Sequence, residues 1–354
     1  MKSAQHIEDI WLRPAVFRRA FEECLECFDF VTDKAREITI SPEGTPQEFS
    51  VTLGEFPEEF RSIRRHLFSV LFQSMYSVLG LSWEKRLLYG KLNYLFRIWV
   101  TSADNLLDNE DKLTLPICMT GRGHIMKPVI SIMAADRVLQ VMLHETLRSG
   151  LLTFEQVEVL SRQSLQALLP SAAEESSEEG GIQTRRTPED ILKKIHVLKT
   201  GILFNLPFVG PKHIEPGLDR ALIKSLELAL MNFGVGCQVL DDIRDMSLDL
   251  KENRQNYVLS SIFHQDPATY EGRLKDLKSM PESLRGCPAI FDRFIVPAAQ
   301  LGRTLLLKGL SQLSECGITL TVEEREEIAE SMFFVLALGD PQQWLTPFKA
   351  HRLL

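Results

Sequence analysis

The sequence lacks a long apolar run, an excess of basic residues and a dense set of cysteines. No apolar stretch reaches the ~18 residues of a membrane-spanning helix, so we expect no stable membrane insertion. The 40 Lys and Arg residues are outnumbered by 48 Asp and Glu, and the net charge of -8 argues against a nucleic-acid partner. Six cysteines scattered over 354 residues do not indicate a disulfide framework. With no apolar signal core in MKSAQHIEDIWLRP, these absences predict a cytoplasmic protein.

Strand-like patterns are nearly absent, and helical periodicity fills most of the chain. Only EITI and FSVTL, on either side of SPEGTPQE, favour strands, so we predict an extended arm or hairpin over residues 36–55. Elsewhere apolar residues recur at steps of three and four, as in EKRLLYGKLNYLFRIWVTSADNLLD. No internal repeat or second domain is evident. The pattern predicts an all-α fold in a single domain over residues 1–354.

One segment departs from the helical rhythm. Residues 170–186, PSAAEESSEEGGIQTRR, are acidic, of low complexity and free of aromatic residues. Such a composition is typical of a mobile loop. Helical signals resume directly afterwards, with Thr187 as N-cap and Pro188 in the first turn.

Four aspartates follow a long apolar run in VGCQVLDDIRDMSLDL. Asp241, Asp245 and Asp249 are four residues apart, so they share one face of a helix, with Asp242 beside them. Like charges at this spacing destabilise a helix. A hard cation such as magnesium removes that repulsion, because it takes carboxylate oxygens while keeping waters and substrate phosphates as further ligands. The segment therefore predicts a magnesium-binding stripe.

A second carboxylate cluster ends another apolar helix, in RIWVTSADNLLDNEDK. Asp104 and Asp108 are again four residues apart, with Asn105 between them. Asp104 and Asp241 are 137 residues apart, so the two clusters belong to different helices. Two sets of carboxylates can together bind one diphosphate through metal ions that lie between the carboxylate and phosphate oxygens.

These motifs resemble those of the class I isoprenoid synthases. DNLLD resembles the first aspartate-rich motif, DDxxD, with Asn105 in place of the second aspartate, and DDIRD matches the second motif of the trans-prenyl diphosphate synthase branch. KTGILF resembles KTxxxF, QVLDD resembles the FQxxDD segment, and DLKENRQNY resembles the stretch after the second motif. The residues that carry these further matches are Lys199, Thr200, Phe204, Gln238 and Arg254.

The resemblance implies a bundle of antiparallel helices around a deep apolar cavity, with a trinuclear magnesium site at its mouth. Its metal ligands would be Asp104, Asp108, Asp241, Asp242, Asp245 and Asp249. It also implies that Lys199 and Arg254 contact the substrate diphosphate, with a hydrogen bond from Thr200. Phe96, Trp99 and Phe204 either line the cavity or are core aromatics. The family is usually homodimeric, and its substrate is an allylic prenyl diphosphate.

The chain departs from the chain-elongating members of this family. Their GGKxxR motif has no GGK here, although EFRSIRR offers Arg61 and Arg64 at the matching spacing, and Arg97 lies seven residues before Asp104. The arginine pair after the first motif is missing. These losses weaken binding of isopentenyl diphosphate more than ionisation of an allylic diphosphate.

The sequence therefore favours a magnesium-dependent class I terpene synthase that ionises an allylic diphosphate, cyclises or rearranges the cation and releases diphosphate. A chain-elongating prenyl diphosphate synthase is the main alternative. Head-to-head condensation is another, since RDMSLD resembles the squalene and phytoene synthase spacing. A non-catalytic helical protein that binds metal or a partner is the alternative from another class.

Overall fold

The computed structural model describes residues 4–268, 270–272 and 291–345. The α-helices are α1 (Ala4–Leu12), α2 (Ala15–Ile38), α3 (Leu67–Val78), α4 (Trp83–Leu107), α5 (Met126–Arg148), α6 (Phe154–Gln166), α7 (Leu169–Ser176), α8 (Pro188–Asp190), α9 (Val209–Ile214), α10 (Arg220–Arg244), α11 (Met246–Lys251), α12 (Tyr257–Gln265), α13 (Asp292–Glu315), α14 (Val322–Val335) and α15 (Gln342–Leu345). None of these described helices is both long and apolar enough to cross a membrane. The all-α prediction is confirmed.

Other backbone elements are short, apart from one long π-helix. The 3₁₀-helices are Gln47–Phe49, Glu58–Arg61, Ile63–Arg65 and Leu203–Phe208. The π-helix is Ile191–Gly201, which continues α8. The strands β1 (Thr52–Leu53) and β2 (Ile117–Cys118) pair antiparallel.

The contacts divide the chain into two compact units, which we describe separately. Unit A contains Trp11–Leu165 and Leu206–Asp219. Unit B contains the described parts of Met1–Ile10, Gln166–Asn205 and Arg220–Leu354. The first aspartate motif lies in unit A, and the second aspartate motif and KTGILF lie in unit B. A single domain over the whole chain stays a prediction.

Unit A is built from α2, α3, α4 and α5, which pack on one another. Helix α4 begins after its N-cap Ser82, whose hydroxyl accepts a hydrogen bond from the Lys85 backbone N–H. Its apolar face is buried at steps of three and four residues by Leu88, Leu92 and Leu95. Packing of this face fixes the direction of α4, which carries the first aspartate motif at its C-terminal end.

Unit B is centred on the packing of α10 against α13. Glycines allow the two backbones to approach closely. A Cβ added to Gly236 would lie 2.9 Å from the Gly302 carbonyl oxygen, and one added to Gly309 would lie 2.7 Å from the Ala229 carbonyl oxygen. Real Cβ atoms do not come this near to backbone oxygens, so the glycines set the position of α10 and of the second motif at its end.

Over residues 36–55, where an extended arm or a hairpin is predicted, the structure shows no hairpin, and the extended arm stays a prediction. Helix α2 continues to Ile38, and β1 pairs with the distant strand β2. Ser41 and Val51 are joined by three hydrogen bonds: Ser41 N donates to Val51 O at 3.1 Å, Ser41 Oγ donates to the same oxygen at 3.3 Å, and Val51 N donates to Ser41 Oγ at 2.6 Å. The first half of the strand-like run EITI, Glu37 and Ile38, belongs to the amphipathic helix α2, whose buried face extends as far as Ala35.

The predicted mobile loop over residues 170–186 is wrong in its first half. Leu169–Ser176 is helical, and Glu174 and Glu178 are buried, with exposures of only 6% and 7%. An acidic composition normally indicates a solvated segment. Here cations elsewhere in unit B offset the buried charge, which composition alone does not reveal.

Candidate functional site

The first aspartate motif continues a polar stripe along α4. Arg97, Thr101, Asp104 and Asp108 stand at positions i, i+4, i+7 and i+11, so they share one face. All four are half-buried. Asp108 is the C-cap, and its backbone N–H donates to the Asp104 carbonyl at 2.8 Å. The stripe therefore changes from cationic to anionic over about three turns.

Asn105, which replaces the second aspartate of the family motif, has a structural role. Its side chain is buried, its Nδ2 donates to the Lys112 carbonyl at 2.7 Å, and its Oδ1 accepts from the Lys112 backbone N–H at 3.0 Å. A carboxylate has no N–H to donate, so an aspartate could make only one of these bonds. The amide folds the chain back after the motif and places Lys112 beside the stripe.

A cleft of about 550 Å³ opens in unit A beside this stripe. Three of the side chains that line it are cationic: Arg65, Arg97 and Lys112. Thr101, Tyr94 and Phe60 also line it, together with acidic Glu59 and Asp111. Burial lowers the pKa of Lys112, but the hydrogen bond and charge of Glu110, with the charges of Asp104 and Asp108, outweigh burial and raise it. Lys112 thus stays charged between the cleft and the aspartates.

The predicted substrate residues Arg61 and Arg64 do not line the cleft. Arg61 forms a bidentate ion pair with Asp29, at 2.6 and 3.0 Å, and Arg64 is exposed. Arg65 lines the cleft instead and pairs there with Glu59. The two 3₁₀-helices in this segment turn every three residues, so the arginines at the family spacing do not face this cleft, and their role in substrate binding stays a prediction.

Phe96 and Trp99 take positions typical of core aromatics. Phe96 is 2% exposed and meets Trp99 edge to face, with ring centroids 5.8 Å apart. The Trp99 indole N–H donates to the Ile132 carbonyl of α5 at 3.2 Å. These contacts support the core interpretation of both residues.

In unit B, an arginine of the second motif pairs with two of its aspartates. Arg244 contacts Asp241 at 2.6 Å and Asp245 at 2.5 and 2.7 Å. Burial raises the pKa of Asp241 to about 7; Arg244 opposes this shift, and the charges of Asp245 and Asp242 add to it. The carboxylates therefore need a cation, and Arg244 provides one in this structure.

The aspartates fit a magnesium ion by the chemistry of their donors. Asp241 and Asp245 are partly exposed, at 29% and 27% of their side chains, and both offer hard oxygen ligands. Within the described ranges, no three His, Cys, Asp or Glu side chains are grouped so as to hold a metal by themselves. Magnesium tolerates this, because it takes its remaining ligands from water and from substrate phosphates.

Asp242, a predicted metal ligand, is engaged by protein donors. Its Oδ2 accepts from Nε2 of His196 at 2.9 Å and from the Tyr257 backbone N–H at 2.5 Å, and its Oδ1 accepts from Gln238 Nε2 at 3.1 Å. Burial raises the pKa of Asp242, but His196 and these hydrogen bonds outweigh burial and lower it. We therefore leave Asp242 out of the proposed metal ligands.

Sequence reasoning missed His196, which has no metal-binding partner pattern. The only sequence signal is a matched spacing on two helices. His196 and Thr200 are four residues apart on one helix, and Gln238 and Asp242 are four residues apart on the other. The His196 side chain bonds Asp242, and the Thr200 hydroxyl donates to Gln238 Oε1. This double pairing joins KTGILF to the second motif.

Lys199 and Thr200 lie on the π-helix Ile191–Gly201. Such helices are rare and occur frequently at functional sites. Phe204 follows it, is 6% exposed and packs on α10, with its ring centroid 6.0 Å from that of Phe233. A Cβ added to Gly234 would lie 2.6 Å from the Phe204 ring. Phe204 therefore fixes the end of the π-helix against α10, and its predicted catalytic role stays a prediction.

The other predicted residues of unit B lie near one another. Arg254 pairs with Glu252 at 2.9 Å. Asp249 accepts from Asn256 Nδ2 at 2.7 Å, and the same amide donates to the Asp242 carbonyl. Burial raises the pKa of Asp249 well above its usual range, and Asp242 adds to the shift. The negative charge of Asp249 in turn helps to raise the pKa of Lys199.

Replacing Asp242 should destabilise the protein more than replacing its neighbour Asp241. Asp242→Ala leaves His196, Gln238 and the Tyr257 amide without their acceptor in a buried site, which costs about 3 kcal/mol. Asp241→Ala should cost less than about 1 kcal/mol, because burial already disfavours its charge. Urea unfolding of both variants measures the difference. Equal losses would contradict the separate roles given to the two aspartates.

Comparison with known proteins supports the fold. Neither a protein-family model nor a curated protein sequence matches the chain. Among solved structures, geranylgeranyl pyrophosphate synthetase from Pyrococcus horikoshii Ot3 matches with a TM-score of 0.55 and 18% identity, over 90% of this chain and 98% of that one. Decaprenyl diphosphate synthase from Rhodobacter capsulatus matches with a TM-score of 0.57 and 13% identity, over 91% and 99%.

A third match is to a complex. Polyprenyl synthase from Caulobacter crescentus CB15, complexed with calcium and isoprenyl diphosphate, has a TM-score of 0.57 and 14% identity, over 91% of this chain and 96% of that one. At such identities the likeness establishes the fold. The resemblance stated from the aspartate motifs is thereby confirmed as a likeness of fold: the chain shares the all-α fold of these solved prenyl and polyprenyl synthases.

Proposed function

We propose that this protein is a magnesium-dependent prenyltransferase that joins an allylic prenyl diphosphate to isopentenyl diphosphate. The observation that carries the proposal is the cleft in unit A, where Arg65, Arg97 and Lys112 converge beside the first aspartate motif. The sequence favoured a terpene synthase because the usual basic motifs for a second diphosphate are missing. The three cations around the cleft would supply positive charge for a second diphosphate in place of those motifs. The similar solved structures named above are also synthases.

The cleft has the chemistry to bind a diphosphate. Guanidinium groups donate paired hydrogen bonds to phosphate oxygens, and an ammonium group adds a point charge. Arg97 also lies over the Tyr94 ring, with 5.7 Å between guanidinium carbon and ring centroid, which limits its motion. Thr101 offers a hydroxyl on the same face of α4. Glu59 pairs with Arg65, so the diphosphate would compete with this carboxylate.

The proposed reaction breaks the C1–O bond of the allylic diphosphate and forms a C–C bond from the double bond of isopentenyl diphosphate. A proton then passes from the new cation to an oxygen of the released diphosphate. We propose that each aspartate motif binds magnesium within its own unit, through Asp104 and Asp108 in unit A and through Asp241 and Asp245 in unit B. When bound, magnesium would supply Lewis-acid stabilisation of a departing diphosphate. Lys199 would donate to the leaving diphosphate oxygens, and Arg254 would add a guanidinium.

Cyclisation of the allylic diphosphate alone is the second candidate. One observation favours it: Arg61, at the position that resembles the basic motif for isopentenyl diphosphate, is bound to Asp29 and points its charge at a protein carboxylate. A terpene synthase needs no second diphosphate, because its nucleophile is a double bond of the same chain.

The test is incubation with magnesium and geranyl, farnesyl or geranylgeranyl diphosphate, each with and without isopentenyl diphosphate. We expect a longer prenyl diphosphate, detected after dephosphorylation, only when both substrates are present. Release of a hydrocarbon or alcohol from the allylic substrate alone would establish the terpene synthase instead. No consumption of any allylic diphosphate would overturn both enzymatic functions and favour a helical binding protein.

Arg97→Gln tests the cleft directly. Loss of a charge-assisted hydrogen bond should raise the KM for isopentenyl diphosphate about 10- to 100-fold. The KM for the allylic substrate should stay within about threefold, because its diphosphate is assigned to other residues. Arg137→Gln, an exposed arginine of α5, is the matched control in the same unit. Equal effects of Arg97→Gln on both KM values would remove the cleft from the proposal.

A further inference from the structure

Lys199 already has an anionic partner within the protein. Glu175 Oε1 lies 3.3 Å from Lys199 Nζ, and their side chains are 22% and 26% exposed. Helix α7, which carries Glu175, packs on the π-helix that carries Lys199. A second contact fixes this packing, since the Ser171 hydroxyl donates to the Lys199 carbonyl at 3.3 Å. The ion pair thus belongs to a packed helix interface.

Two more glutamates of the same segment are buried beside this pair. Among the described residues, neither carboxylate oxygen of Glu174 has a hydrogen-bond partner, and Glu178 has one only at Oε2, from the Gln255 backbone N–H at 3.2 Å. Buried carboxylates are unfavourable unless a cation lies near. Burial raises the pKa of Glu174 to about 7, and the charges of Lys199 and Arg254 oppose this shift. Both of those cations are proposed diphosphate donors.

The chain after these glutamates is anchored beside Arg254. Ile182 N donates to the Asn253 carbonyl at 2.8 Å, Gln255 Nε2 donates to the Thr184 carbonyl at 2.9 Å, and Arg185 donates to the Arg254 carbonyl at 3.0 Å. Together with the bond from the Gln255 backbone N–H to Glu178, these bonds hold the end of the acidic segment, residues 174–178, next to the segment that follows the second motif. The negative charge of the acidic segment therefore lies within the packed structure of unit B.

We infer that Glu175 is a specificity-determining residue, which acts as the internal counter-ion of Lys199 and competes with diphosphate for it. The inference rests on the proposed function. A free diphosphate must displace Glu175 and then lie near Glu174, Glu178 and Asp249, all of which act electrostatically on Lys199. A diphosphate that carries magnesium meets much less repulsion, because the metal cancels most of its charge. Glu175 thus makes the protein accept the metal complex and reject the free anion.

Binding of inorganic diphosphate, measured by isothermal titration calorimetry in EDTA and in magnesium, tests this inference without turnover. All samples carry Arg97→Gln, so that the proposed diphosphate site in the cleft of unit A contributes little, and "wild type" refers to position 175. With Glu175 intact, we expect far weaker binding in EDTA than in magnesium. Glu175→Gln should bind metal-free diphosphate roughly 10-fold or more tightly than the wild type, as expected when a competing charged hydrogen bond is removed. Its affinity in magnesium should change less. Glu179→Gln, an exposed glutamate four residues further on, is the matched control and should match the wild type.

Folding and function are checked separately. Circular dichroism through thermal unfolding shows that each variant is folded, and Glu175→Ala provides a second variant that removes the same charge. If folded Glu175→Gln and Glu175→Ala bind metal-free diphosphate no better than the wild type, the inference is overturned while magnesium-dependent binding sustains the proposed function. If no variant binds diphosphate under either condition, the proposed function itself is overturned.

Discussion

Asp104→Ala and Asp241→Ala are each expected to lower turnover about a thousandfold or more while the protein stays folded. Each change removes a proposed magnesium ligand, and loss of metal stabilisation of the departing diphosphate costs several kcal/mol, roughly 4 kcal/mol for a thousandfold. Stability should change little, because Asp241 is one of several close carboxylates and Arg244 retains its contact with Asp245. Steady-state turnover and circular dichroism together measure both effects.

The control variants are chosen because their side chains are exposed. Asp136→Ala in unit A and Glu179→Ala in unit B remove exposed carboxylates and should leave turnover unchanged. Glu174 is unsuitable as a control, although its acidic surroundings in the sequence suggest a solvated position, because its side chain is buried beside Lys199. Mild and equal effects at all four positions would identify the aspartate motifs as ordinary polar faces.

Removal of divalent metal should abolish turnover, and this is the second large effect we expect. Asp241 and Asp245 are held by Arg244, and Lys199 by Glu175, so the free protein already balances much of the charge in unit B. A diphosphate adds negative charge that these internal cations do not offset, and magnesium supplies the missing positive charge. Diphosphate release should therefore fall to background in excess EDTA.

Addition of magnesium beyond the EDTA concentration should restore the rate. A dialysed protein assayed over a range of free magnesium concentrations gives the dependence directly. Potassium at equal ionic strength is the control for charge screening, since screening alone would act with any salt. Full activity in the chelator would remove the metal from the proposed mechanism and leave only the fold in place.

Local periodicity was enough to predict much of this protein. Steps of three and four residues place Asp104 with Asp108, and Asp241 with Asp245, on single helix faces, because 3.6 residues complete each turn. The same argument predicted the long helices that carry both motifs. The all-α class follows from these local patterns, and the structure confirms it. The resemblance to the isoprenoid synthases rests on the quoted motifs, and the solved structures confirm it as a likeness of fold.

Only the tertiary structure shows which arginine of this segment lines the cleft. The family spacing selected Arg61 and Arg64, but successive 3₁₀-helices rotate the side chains of this segment and bring Arg65 to the cleft. Asn105 is a similar case. In the sequence, Asn105 in place of a family aspartate indicates the loss of a metal ligand. In the structure, its amide makes two hydrogen bonds to the Lys112 backbone.

The sequence by itself determined the helices and the residues that share a face of each one, since these depend on contacts only a few positions apart. The tertiary structure decided which faces meet. It brought His196 to Asp242, 46 residues away, and Glu175 to Lys199, so that Asp242 accepts a buried hydrogen bond and Glu175 forms an ion pair. Such pairs depend on how distant helices pack, and the burial that gives their charges meaning exists only after that packing has formed.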